Sequence, residues 1–111
     1  MRESISMKRS FWIVAVLLPA FAFAAGDPAA GKAVYDKACK SCHGADGTPN
    51  AGIAKSLKLE MKHLGSADAQ APGDDDLKTV IMAGQGKMKP VKSVSGKAAD
   101  DVVAYIRTLK K

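Results

Sequence analysis

The pattern of apolar residues predicts an all-α domain. Four segments repeat apolar side chains at helical spacing, and none alternates with the two-residue period of a half-buried strand. Stretches rich in glycine and proline separate the segments. The first opens at Asp27-Pro28, a capping carboxylate followed by a residue whose fixed φ suits the first helical position. Ala30, Val34, Tyr35 and Ala38 then share one face while Lys32, Asp36 and Lys37 point away, and the helix runs towards Cys39. The second covers about 51–64, with Ile53, Leu57, Met61 and Leu64 in helical register. The third begins with Asp74, Asp75 and Asp76, three carboxylates at the positive end of the helix dipole. It continues through Leu77, Val80 and Ile81, and stops at Gly84. The fourth is capped by Ser95 and places Val102, Ile106 and Leu109 on one face, with Tyr105 beside them. Asp100 and Asp101 come early in it and Lys110 and Lys111 late, as the dipole prefers. Residues 84–90 form an irregular loop between the third and fourth helices.

The residues ahead of these helices have another character. Arg2, Lys8 and Arg9 precede an apolar run from Phe11 to about Phe23, and small residues follow at Ala24, Ala25 and Gly26. That order is the order of a secretory leader. Ala22 and Ala24 supply the A-x-A pattern for cleavage after Ala24, with Ala25 as the neighbouring alternative. The run is shorter than the roughly 20 residues a spanning helix needs, so membrane association is expected only through an uncleaved leader. The reading is therefore a leader over 1–24 and one domain over 25–111, exported to the periplasm.

Of 17 Lys+Arg and 11 Asp+Glu, the leader takes Arg2, Lys8, Arg9 and Glu3, which leaves a net charge of +4. Acidic residues are spread through the remainder and no basic run is long enough to track a phosphate backbone, so nucleic acid is not an expected partner. The leader also contains the single Trp and all three Phe, leaving Tyr35 and Tyr105 as the aromatic residues of the domain. A domain this small and this poor in large side chains is short of core, and such domains lean on a disulfide, a metal or a cofactor.

The chemistry concentrates at Cys39-Lys40-Ser41-Cys42-His43, which is the haem c attachment pattern C-x-x-C-H. Two thiols one helical turn apart can form thioethers to two vinyl groups of one porphyrin, and the adjacent imidazole then comes under the iron as an axial ligand. Three other chemistries compete for these residues. A redox-active C-x-x-C belongs in a βαβ setting, which a helical chain does not provide. A Cys39–Cys42 disulfide would close too short a loop to constrain the unfolded chain much. A zinc site from Cys39, Cys42, His43 and His63 has the ligand count, but His43 abuts Cys42 directly, unlike finger spacing.

With this motif and these helices, residues 25–111 resemble the class I cytochromes c over nearly their whole length. Gly31 and Tyr35 stand eight and four residues before Cys39, at the small and aromatic positions of that family's first helix. Val102 and Tyr105 match the contact positions of its last helix. The resemblance implies a cytochrome c fold of about four helices wrapped around one covalently bound haem, with Cys39 and Cys42 as thioether residues and His43 as an axial ligand. It also implies a methionine ligand from the loop before the last helix, and Met88 fits best. Met61 and Met82 read as packing residues, and His63 is the rival ligand. Here Lys89 separates Met88 from Pro90, where many members have Met followed directly by Pro. Pro49 is the available proline behind the motif whose carbonyl could orient His43.

The function so implied is single-electron transfer by a monomeric carrier rather than catalysis. Its partners are exported redox proteins acting as donor and acceptor, with acidic docking surfaces facing Lys40, Lys87, Lys89 and Lys92. The alternative is a haem-based sensor or peroxidase-like enzyme with an open or labile sixth position.

Overall fold

The computed structural model describes residues 26–111. The leader over 1–24, with its cleavage after Ala24 or Ala25, lies outside the described residues. Six helices follow in order: α1 (Pro28–Ala38), α2 (Lys40–His43), α3 (Ala51–Leu57), α4 (Ala67–Gln70), α5 (Asp74–Ala83) and α6 (Lys97–Thr108). The longer four are those the apolar spacing predicts. The other two, α2 and α4, are single turns of four residues, too short to carry a periodic stripe. Among the described residues the one β-type pairing is an isolated bridge between Gln85 and Met88. The all-α expectation holds.

The core is built where α1 crosses α6. The crossing is close because Gly31 has no side chain: a Cβ there would lie 1.9 Å from the Asp101 carbonyl oxygen and 2.4 Å from its carbonyl carbon. One turn on, Tyr35 is fully buried, and its ring meets that of Tyr105 at a centroid distance of 5.0 Å and a tilt of 59°. Val102, Val103, Ala99 and Ile106 from α6, Ile81 from α5, and Val94 complete the buried apolar set with Cys39. Tyr35 is the only large aromatic in that set, so the core is as thin as the composition implies.

The start of α1 is also tied to α6 by charge. Asp101 is buried, accepts the backbone N–H of Asp27 at 2.8 Å, and pairs with Lys97 at 2.9 Å. Its carboxyl is held below the usual range, first by the hydrogen bond from Lys97 and then by the Asp27 amide. A carboxylate whose pKa falls on folding stabilises the fold above its unfolded value of about 4, and that contribution disappears as pH drops through the lower folded value. Asp101→Asn is therefore expected to unfold at lower denaturant than the native protein at pH 7, with the gap narrowing as pH falls below about 4. Urea melts across that pH range check this, and a gap independent of pH contradicts it.

Three expectations change. Apolar spacing predicts the second helix over about 51–64, but α3 stops at Leu57. Lys58 takes a left-handed conformation there, and its amide closes back on Ala54 and Lys55, so Met61 and Leu64 lie beyond the helix. The cap of α6 is Gly96, with φ +56°, and not Ser95; no side chain caps this helix. Met82, expected to pack, is 44% exposed.

Candidate functional site

The motif occupies a corner between two helices. Cys39 ends α1, with its amide bonded to the Tyr35 carbonyl, and the chain re-enters helix at once as α2. The His43 amide closes this turn on the Cys39 carbonyl at 3.0 Å. Cys39, Cys42 and His43 thus share a single helical turn. Neither cysteine is in a disulfide, and among the described residues no group of three or more His, Cys, Asp or Glu is gathered so as to hold a metal ion. The zinc arrangement of Cys39, Cys42, His43 and His63 does not form. His63, the rival ligand, is half-buried, and its Nδ1 accepts the Gly65 amide at 2.8 Å.

Burial sets the protonation of the corner. It pushes the Cys39 thiol up to about 11, with Cys42 adding a smaller effect. It holds the His43 imidazole below its ordinary value, which keeps the ring neutral, the form that binds iron. The Nδ1 atom of His43 is buried without a hydrogen-bond partner. No hydrogen bond therefore joins this ring to the carbonyl of Pro49, the available proline behind the motif.

The chain after His43 is held by residues the motif does not include. The Tyr35 hydroxyl donates to the Gly44 carbonyl at 2.6 Å, and burial raises its phenol well above the ordinary value. Asn50 returns to the turn twice, its amide donating to the Cys42 carbonyl at 2.9 Å and its Nδ2 to the Ser41 carbonyl at 3.2 Å. The same side chain caps α3 by accepting the amides of Gly52 and Ile53. Its role as cap was readable from an Asn just ahead of an apolar helical run. Its role as a tie to the attachment turn was not.

Met88 lies on a compact turn. Gln85 and Met88 exchange backbone hydrogen bonds at 3.0 and 2.9 Å, and the Val91 amide returns to the Ile81 carbonyl at 2.8 Å. Gly84 makes the entry tight: its φ is +80°, and a Cβ would stand 2.6 Å from the Met88 carbonyl oxygen. The Met88 side chain is half-buried and packs against the core. The Lys87 ammonium donates to the Leu57 carbonyl at the end of α3.

These residues fit a haem. A half-buried neutral imidazole with a buried, orphaned Nδ1 shares a turn with two free thiols. No residue of α3 is buried, and Leu57 and Leu59 are 36% and 39% exposed, so the chain alone leaves apolar side chains uncovered. A thin core is what a large apolar cofactor completes.

The comparisons agree. A family model described as cytochrome C oxidase, cbb3-type, subunit III matches residues 26–106. Cytochrome c-554(547) of Halothiobacillus neapolitanus is 30% identical over 94 residues, covering 78% of this chain and 100% of that protein. Among solved structures, the KustC0563 c-type cytochrome shows a TM-score of 0.62 at 28% identity, covering 73% of this chain and 98% of that chain. Fold and matches together define a small c-type cytochrome. Within that class, the chain belongs to the family described as cytochrome C oxidase, cbb3-type, subunit III. Its cofactor is covalently bound haem c, and its function is haem-based electron transfer.

Proposed function

We propose that this protein is an exported, periplasmic single-electron carrier, with one haem c joined to Cys39 and Cys42 and ligated by His43 and Met88. The observation that carries the reading is the half-buried, neutral His43 imidazole, its Nδ1 buried and unpartnered, on the same turn as two free thiols. When bound, the haem supplies an iron that exchanges one electron between its ferric and ferrous forms. His43 offers a neutral nitrogen fixed by the α2 turn, and Met88 offers a neutral sulfur, a pair that raises the reduction potential relative to two nitrogens. The packed α1–α6 crossing and the Asn50 and Tyr35 ties keep the attachment turn from moving as the electron comes and goes.

Met88→Ala is expected to abolish the sulfur-to-iron(III) charge-transfer band and to let carbon monoxide bind the ferrous protein quickly. Native protein should resist carbon monoxide. Survival of the band in the variant means another residue supplies the sixth ligand.

Lys40, Lys89 and Lys92 are exposed on or beside the two segments that carry these ligands. They are proposed to steer acidic redox partners, the donor and acceptor of the electron, by long-range attraction. Electron-exchange rates with an acidic redox protein should fall as ionic strength rises towards about 0.15 M, where the Debye length is about 8 Å. A rate indifferent to salt removes the lysines from docking.

A further inference from the structure

Lys87 stands apart from its lysine neighbours because its ammonium is engaged. It donates to the carbonyl of Leu57, the last residue of α3. Helix ends leave carbonyls without intrahelical donors, and a cation there also meets the negative end of the dipole. The Lys58 amide and the Leu59 amide close back on Ala54 and Lys55, leaving the Leu57 carbonyl for Lys87.

Among the described residues, the rest of the Met88 turn is hydrogen-bonded only to α5 and to itself. Gly84 returns to Val80, Gln85 and Met88 bond each other, and Val91 returns to Ile81. Among the described residues the Lys87–Leu57 hydrogen bond is the one that ties this turn to a different helix. Helix α3 is in turn fixed to the attachment turn through Asn50. A continuous line runs from Cys42 through Asn50 and α3 to Leu57, Lys87 and Met88.

We propose that Lys87 is a positioning residue for the Met88 thioether, a strut that holds the sixth-ligand turn at a fixed distance from the segment bearing Cys39, Cys42 and His43. This rests on the reading of Met88 as the ligand. It removes Lys87 from the docking lysines, since its donor is committed within the protein. Lys89, two residues on, makes no hydrogen bond or ion pair among the described residues, so it has the same charge without the strut.

The test compares ferric holoprotein of the native sequence with Lys87→Gln, Lys87→Arg and Lys89→Gln. Two quantities are read: the pH at which the sulfur-to-iron(III) band disappears, and the affinity for added imidazole, which competes with the thioether. Lys87→Gln should lower that pH and bind imidazole about fivefold more tightly, the scale of one lost hydrogen bond. Lys87→Arg, which can still donate to the Leu57 carbonyl, should restore native behaviour, and Lys89→Gln should match the native protein. Equal shifts in Lys87→Gln and Lys89→Gln would show a charge effect and overturn the strut. Native values in Lys87→Gln overturn it as well. A native protein lacking the band altogether fails the Met88 reading itself, and the two failures are thereby separate.

Discussion

Gly31→Ala is expected to cost about 2–3 kcal/mol of stability, and Gly31→Val to prevent the holoprotein from accumulating. The reason is the distance between backbones. Alanine already adds the atom that would sit 1.9 Å from the Asp101 carbonyl oxygen, and that neighbour is backbone, not a side chain free to rotate. Relief requires α1 and α6 to separate. That move also pulls on Tyr35, which is wholly buried one turn later, and on the Asp27–Asp101 hydrogen bond. The larger side chain adds two methyl groups at the same crossing. Denaturant titration of the alanine variant and the yield of haem-loaded valine variant measure the effect. A stability loss under about 0.5 kcal/mol for alanine would mean the helices do not cross this closely.

Replacing both Cys39 and Cys42 with serine is expected to abolish covalent haem and with it the folded state. The buried apolar set contains one aromatic residue, and α3 buries none of its side chains within the chain. A domain of this size with so thin a core depends on its cofactor for stability. Haem staining after denaturing electrophoresis should be lost in the double variant, and far-ultraviolet circular dichroism should show little helix at 25 °C. Each single serine variant should keep one thioether and an intermediate stability. A double variant that stays helical and melts like the native protein would remove the cofactor from the stability of the fold.

Most of the helical framework was legible because its signals are local. Asp27-Pro28 marks the start of α1, and the observed cap is the Asp27 side chain on the Ala29 amide. The three aspartates mark α5, which begins at Asp74. The attachment motif was legible because its chemistry needs contiguous residues. The end of α3 was not, since the chain after Leu57 reads Lys-Leu-Glu-Met-Lys-His with no glycine or proline, and a lysine takes the left-handed position that glycine usually fills. Ser95 is a good capping residue one position too early, displaced by Gly96 at φ +56°.

The partners of the site were hidden for a different reason. By sequence Asp101 is an early carboxylate of the last helix, yet it is a buried clamp whose acceptor role depends on an amide 74 residues away. By sequence Lys87 is one more docking charge, yet it reaches a carbonyl 30 residues back. Spacing along one helix or one motif predicts what neighbours in sequence do, and none of these pairings is between neighbours in sequence.

The most direct test of a covalently held, His/Met-ligated haem is the visible spectrum of the purified protein, oxidised and then reduced, before and after acid–acetone extraction. A haem c joined to Cys39 and Cys42 and ligated by His43 and Met88 should give sharp low-spin bands that stay with the polypeptide through extraction, and a sulfur-to-iron(III) charge-transfer band in the oxidised form. Haem that extracts into the solvent, or a high-spin spectrum without that band, would contradict a covalently held haem ligated by His43 and Met88.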